Sequence, residues 1–433
     1  MKQSNFKRFI LLWLGQLISA IGGGLTSFGL GVYVFEKTGS AAGMALVTLL
    51  GFLPTLVLSV PAGVLADRYD RRLMMMLGDG FSGLGILFIL ICMMRGETSL
   101  LQICIGVFFS AVFSSLLEPA YKATVSDLLT EDEYSKASGL VSLAGSARYL
   151  VSPVIAGILL SVTDVKVLLV IDICTFALTV VSTFAVRRGI ETQTVAAQAS
   201  FKESMKEGWH AIRVKKGVFL LVMVSSVLTL FIGVFQILAE PLVLSMADAK
   251  TLGIAETICA SGMLVSSLYL GICGIKKSYV KILSISLAMA GVFILGFGVF
   301  ESIVLITLSG FGFFLMLPFA NNCLDYLVRT NTSVELQGRV WGIVGFLSQI
   351  GYVIAYGCSG ILADWIAKCS GISVGRGAGM VMVFAGVALI VVSVSILFMK
   401  EIKLLEIKDR GENECERTNL TGGTSNDAKT VVE

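Results

Sequence analysis

The sequence predicts an all-α membrane protein of twelve transmembrane helices in two pseudo-symmetric six-helix bundles. Three observations carry this. Of 433 residues, 55% are hydrophobic and 15% charged, where soluble domains carry about 25% charged residues. The apolar residues fall in runs long enough to span hydrocarbon, which takes ~20 residues in a helix. The longest polar interruption, Arg187 to Lys216, divides twelve such runs into six and six.

The spans read, in order, 9–35, 41–66, 73–94, 99–127, 135–161, 166–186, 217–245, 251–273, 279–300, 302–325, 338–365 and 372–399. The first is too long for a signal-peptide core and has no small-residue cleavage pattern, so it is read as a span. Gly22, Gly23 and Gly24 within it allow bending or close approach. The second runs into Gly63-Val-Leu-Ala-Asp-Arg-Tyr-Asp-Arg-Arg72, a charged turn that cannot sit in hydrocarbon. The fourth carries Glu118-Pro119, the fifth Arg148 and Ser152-Pro153, the seventh Glu240-Pro241. Gly338-Arg339-Val340 opens the eleventh, and Gly360-Ile361-Leu362-Ala363-Asp364 closes it.

The domains expected are a first bundle over 1–186, a cytoplasmic central loop over 187–216, a second bundle over 217–399 and a disordered cytoplasmic tail over 400–433. In the loop, Phe201, Met205, Trp209 and Ile212 recur at helical spacing among Lys and Arg, as in a helix lying on the inner leaflet. His210 belongs to it and is expected to be solvated. The tail has no sustained apolar period.

Placement of cations sets orientation. With the N-terminus inside, 26 of the 33 Lys and Arg fall on cytoplasmic segments. Lys37, Arg95, Lys166, Lys250, Lys368 and Arg376 fall outside, and Arg148 lies within a span. Both termini are therefore expected in the cytoplasm, with the chain multi-pass in the cell membrane. The halves resemble a weak parallel repeat: the same spacing separates Pro119 from Pro318 and Gly139 from Gly338, and Gly63 has a loose counterpart in Gly271.

Several function classes are disfavoured. The nine Cys form no CxxC pair or metal-ligand spacing, and most lie in apolar runs as small packing residues. His210 is the single histidine, so no histidine metal site or triad is available. No phosphate-binding Gly-x-x-x-x-Gly-Lys-[Ser/Thr] loop is present. The chain is read as a non-enzyme without cofactor or metal, with no nucleic-acid partner, acting as a monomer in the lipid bilayer.

The charged turn resembles the loop between helices 2 and 3 of major facilitator superfamily transporters, with Asp70 where the general pattern has Gly. The Asp-Arg-x-Asp-Arg form resembles the drug:proton antiporter branch that includes macrolide efflux proteins. Ser152-Pro153 and Gly157 resemble that branch's helix 5 motif, with Ser for its usual Gly. The resemblance covers nearly residues 5–400. It implies a gating latch of Gly63, Asp67, Arg68, Arg71 and Arg72, with Asp127 as the partner at the end of helix 4 and a further contact to helix 11. It also implies secondary active export of amphipathic small molecules by proton antiport through alternating access. The alternatives are a dedicated exporter of an endogenous product, such as a siderophore or lipid, and a non-transporting membrane receptor.

Ionisable groups inside spans are costly and mark function. The proton-coupling candidates are Glu118, Arg148, Asp79, Asp172, Glu240 and Glu256. Glu118 and Arg148 both fall near mid-bilayer and are expected to pair across the cavity, either coupling protonation to transport or fixing helix packing. Asp172 and Glu256 lie within about two turns of the outer surface, as gates or rim residues. Glu240 precedes Pro241, where a broken helix could expose carbonyls. The substrate cavity is expected between the halves. Gln16, Gln236, Asn321 and Asn322 could offer hydrogen bonds there. Phe28, Tyr33, Phe231, Phe235, Phe311 and Phe314 could line an apolar wall, unless they serve packing or lipid contact.

Overall fold

A computed structural model describes residues 5–187, 209–210, 212–275, 278–333 and 336–406; for Val60, Asp67, Glu131, Ser135, Gly338 and Arg339 only the backbone is described. Among the described residues, fourteen helices run α1 (Phe6–Thr38), α2 (Ala41–Arg68), α3 (Arg71–Arg95), α4 (Leu100–Ser114), α5 (Leu117–Leu128), α6 (Tyr134–Leu150), α7 (Ser152–Val162), α8 (Val165–Arg187), α9 (Lys216–Leu244), α10 (Ala249–Cys273), α11 (Tyr279–Val299), α12 (Ile303–Thr330), α13 (Gln337–Ser370) and α14 (Val374–Phe398). They make twelve segments long and apolar enough to cross a membrane.

The ends of the helices are set by local chemistry. Ser40, Asp70, Asp248 and Ser373 accept backbone N–H groups at the starts of α2, α3, α10 and α14. Ser99 and Gln102 form a reciprocal capping box on α4. Gly39 and Gly371 end α1 and α13 at φ of 61° and 66°, a conformation that glycine adopts without strain.

The fourth and fifth spans are not the continuous helices the apolar runs suggested. The fourth is interrupted at residues 115–116 and the fifth at Val151. In each case a proline three or two residues later, Pro119 or Pro153, lacks the N–H for the preceding turn. By contrast α9 is continuous through Pro241, so the broken helix expected at Glu240 does not occur. Pro54, Pro61 and Pro318 likewise sit inside unbroken helices.

Phe201 and Met205 of the central loop lie outside the described residues. Ile212 is fully buried and Trp209 packs edge-on to Phe219, so this part of the loop docks on the second half as well as facing outward. His210 is exposed. The expected tail begins with order: residues 401–406 are helical, with Ile402 and Leu405 buried. Asn331 Nδ2 donates to the Leu405 carbonyl at 3.4 Å. The tail from 407 lies outside the described residues.

The two halves meet at mid-depth and at the face opposite the N-terminus. Among the described residues, every hydrogen bond between halves lies there. Thr257 Oγ1 donates to the Leu150 carbonyl at 3.0 Å, and Asp364 accepts from Ser40, Ala41 and Ala42. Two glycines allow the contact. A Cβ on Gly253 would strike the Pro153 carbonyl, and one on Gly360 would lie 2.5 Å from the Ala41 carbonyl. Toward the N-terminal face, Gly63, Gly139, Gly145, Gly342 and Gly345 of α2, α6 and α13 have nothing within 4 Å of where a side chain would begin. Among the described residues the bundle is sealed at one face and cleft at the other.

Candidate functional site

The charged turn is bolted to its own half. Asp70 caps α3 through the Arg72 and Leu73 amides and accepts from Arg187 Nε at 2.8 Å. Arg71 donates to Asp127 Oδ1 at 2.6 Å and to the Ala66 carbonyl at 3.1 Å. The Arg72 side chain is 2% exposed, with Nη2 3.8 Å from Asp127 Oδ2. Asp127, at the end of α5, thus holds both arginines, and the helix 4 partner implied by the resemblance is in place. Arg68 is exposed. The Asp67 and Arg339 side chains, on which a contact to span 11 would depend, lie outside the described residues.

Glu118 and Arg148 do not pair. Glu118 Oε1 accepts from Lys122 Nζ at 2.6 Å, one turn away on the same helix and largely exposed. Equal depth brought the two residues together in the sequence reading; azimuth separates them. Glu118, Lys122 and Ser126 form one exposed stripe on α5. Ser138, Ser142, Arg148 and Tyr149 are exposed on α6, and Asn321, Asn322 and Asp325 on α12. Polar stripes part-way along spanning helices belong to a water-filled cleft rather than to lipid. Arg148 makes no hydrogen bond or ion pair among the described residues.

Of the remaining carboxylates, Asp79 and Asp172 are enclosed and Glu240 and Glu256 are partly buried. Asp79 on α3 is 0% exposed, and neither of its side-chain oxygens has a hydrogen-bond partner among the described residues. Asp172 on α8 is 1% exposed and accepts from Thr175 Oγ1 at 3.3 Å. It sits against Gly22 of α1, which corrects its reading as a rim residue. Glu240 on α9 faces Gly31 of α1 across the seam between halves; its Oε2 is shut off from solvent, has no hydrogen-bond partner among the described residues and lies within electrostatic reach of Glu256 on α10. Glu256 precedes Thr257, the residue that bonds across the seam, so it too belongs to the seam and not to the membrane rim.

The predicted cavity wall is partly a packed core. Phe235 is 5% exposed and contacts Phe297, Phe313 and Phe314 at centroid distances of 4.7, 4.8 and 5.3 Å. Phe28 and Phe231 are also buried, and Phe311 packs its backbone against Gly262. Tyr33 lies beside Lys37 near the opposite face, with the ammonium 5.9 Å from its ring. Gln16 Nε2 is enclosed and has no hydrogen-bond partner among the described residues. Of the polar candidates, Asn321 and Asn322 reach the cleft, and Gln236 Oε1 accepts from Tyr356 at 2.6 Å.

Sequence reasoning missed that tyrosine. Phe52 of α2 packs on Tyr352 and Tyr356 of α13 at 5.8 and 5.5 Å, joining the halves at mid-depth. The signal was a tyrosine pair at i,i+4 in an apolar span. Asp364, which fastens the sealed face, was also passed over.

Comparison with known proteins agrees with this architecture. The chain is 26% identical over 422 residues to macrolide efflux protein A of Streptococcus pyogenes, covering 94% of this chain and 100% of that protein. It is 31% identical over 154 residues to the enterobactin exporter of Shigella flexneri, covering 35% of this chain and 37% of the other. A crystal structure of a bacterial homolog of the human lysosomal transporter Spinster, in an inward-facing and occupied conformation, superposes with a TM-score of 0.72 at 12% identity. That match covers 94% of this chain and 99% of the other. The family model described as Major Facilitator Superfamily matches residues 12–356. The chain is a multi-pass transporter of small molecules and belongs to the Major Facilitator Superfamily.

Proposed function

We propose that this transporter exports amphipathic small molecules across the cell membrane by proton antiport, with both termini in the cytoplasm. The surplus of Lys and Arg on the N-terminal face supports that orientation. The cleft then opens to the cytoplasm, the side from which an exporter loads. The similarity to macrolide efflux protein A along nearly the whole chain supports export of drug-like compounds.

One observation carries the coupling: the Glu240 carboxylate lies in the seam between halves beside Glu256, with Oε2 shut off from solvent and without a hydrogen-bond partner among the described residues. When the opposite face opens, the seam parts and both carboxylates meet external water. When it seals, they return to the protein. Groups that alternate between these surroundings can take up a proton on one side and release it on the other. Asp79 and Asp172 are enclosed within one half and do not lie on the seam, which suits a supporting role. Glu118, paired with Lys122 and exposed, is the weakest of the original candidates.

A second reading has its own support. The similarity to an enterobactin exporter over 154 residues, and Arg148 exposed with no ion pair among the described residues, favour a dedicated exporter of an endogenous anionic product.

The test is efflux from intact cells loaded with a labelled macrolide, with and without a protonophore. Export that stops with the protonophore, and that Glu240→Gln and Glu256→Gln reduce at unchanged protein level, is expected. Export insensitive to the protonophore contradicts the coupling.

A further inference from the structure

We infer that the mid-depth end of the cleft is a binding subsite for an anionic aromatic group of the exported molecule, held by Arg148 and walled by Phe52, Tyr149, Tyr352 and Tyr356. This rests on the export reading above and adds the chemical class of its substrate.

Arg148 lies midway along the fifth span and is exposed, without an ion pair or hydrogen bond among the described residues. A guanidinium is a lasting positive charge with five donors in a rigid fork. Such a charge part-way through a spanning helix marks function, and the cleft leaves its donors open to a ligand. The nearby carboxylates are otherwise placed. Glu118 is engaged by Lys122. Asp172 is within electrostatic reach, but its side chain is enclosed against α1 and accepts from Thr175. The cation therefore stands free at the cleft.

The surroundings of that cation are aromatic. Tyr149 follows it on α6 and is 60% exposed. Tyr356 lies within electrostatic reach of Arg148, Tyr149 and Tyr352. Its ring is 5.7 Å from that of Tyr352, and Phe52 closes the group from α2. The Tyr356 hydroxyl is oriented by its bond to Gln236. The residue beyond Tyr149, Leu150, bonds to Thr257 of the other half, so the group sits where the two halves join.

A fork of N–H donors beside several ring faces suits a carboxylate, sulfonate or phenolate carried on an aromatic ring. The charge pairs bidentately and the ring packs on ring. A cation of the same shape would meet like charge. Because the walls come from α2 and α6 of one half and α13 of the other, a ligand here touches both moving bodies.

The experiment uses the full chain purified in detergent and two xanthene dyes of similar shape and opposite charge, fluorescein and rhodamine 6G, with binding read by fluorescence anisotropy. Wild type is expected to bind fluorescein more tightly than rhodamine 6G. Arg148→Gln is expected to weaken fluorescein at least tenfold without weakening rhodamine 6G, Arg148→Lys to weaken it less, and Tyr352→Ala to weaken it severalfold. Should Arg148→Gln fail to fold, competition on wild type takes its place: 1-naphthoate displaces fluorescein and 1-naphthylmethylamine does not. Equal affinity for both dyes, fluorescein binding unchanged in Arg148→Gln, or no dye bound at all overturns the subsite. Proton-driven export of rhodamine 6G without fluorescein binding sinks the subsite and leaves the export reading standing. Arg148-dependent fluorescein binding without any export does the reverse.

Discussion

The Ser40 hydroxyl donates to Asp364 Oδ2 at 2.6 Å, fastening the start of α2 in the first half to α13 in the second. The same carboxylate accepts from the Ala41 amide at 2.9 Å and the Ala42 amide at 3.1 Å. It thus caps a helix of the other half, where the orphan N–H groups and the helix dipole both favour an anion. The bond exists only while this face is shut, so it weights the equilibrium between the two access states. A cap of this kind contributes about 1–2 kcal/mol. Asp364→Ala is therefore expected to lower the sealed-to-open ratio about 5- to 30-fold. Electron–electron resonance between spin labels at Ser161 and Met246, in a background without the native cysteines, reads the change as a longer-distance population. An unchanged distance distribution would mean that the cap does not hold the gate.

Gly253 is expected to be intolerant for a different reason. Its α-carbon faces the Pro153 carbonyl too closely for a side chain, and the obstacle is backbone that cannot rotate away. Gly253→Val should keep the face from sealing and slow transport at least tenfold, with protein level unchanged. Wild-type rates in Gly253→Val would show that the seam is looser than the structure describes.

Asp127 serves two arginines, one of them almost wholly buried. Removing a carboxylate from such a pair costs about 3–5 kcal/mol when the buried charge is left wholly uncompensated; Asp127 is 18% exposed in its side chain and Asp70 also lies within electrostatic reach of Arg72, so the cost should sit below that range. Asp127→Ala is expected to lower the Tm in detergent by several degrees, and Asp127→Glu by less. An unaltered Tm in Asp127→Ala would reduce the Arg71 and Arg72 contacts to incidental ones.

Glu118→Gln should do little. Its exposed i,i+4 bond to Lys122 is worth about 0.3–0.5 kcal/mol. Thermal stability and the proton dependence of efflux are expected to stay near wild type. Loss of proton dependence in this variant would return Glu118 to the coupling path.

The parts of this molecule legible in its sequence are those with a local signature. Span count follows from apolar length, and the turn from Gly63 to Arg72 announces itself because charge cannot lie in hydrocarbon. Asp127 came from the resemblance and was met in the structure. What was not legible depended on azimuth or on partners far along the chain. Glu118 and Arg148 share a depth but not a bond, and the local lysine wins because it needs no long-range alignment. Phe235 reads in sequence like a cavity residue, yet the helix turns it into a cluster with Phe297 and Phe313. Asp364 at the end of an apolar run looks like a rim residue; only the fold brings it to Ser40, 324 positions earlier. Helix breaks at residues 115–116 and Val151 were signalled by Pro119 and Pro153, but equally placed prolines in α2, α9 and α12 break nothing.

The measurement that bears most directly on proton-coupled export is made in proteoliposomes with an imposed pH gradient, following a labelled macrolide and internal pH together. The account predicts substrate accumulation tied to proton counterflow in wild type, with both lost in Glu240→Gln while exchange of substrate down its own gradient persists. Substrate movement with no proton flux, or coupling that survives in Glu240→Gln, would contradict it.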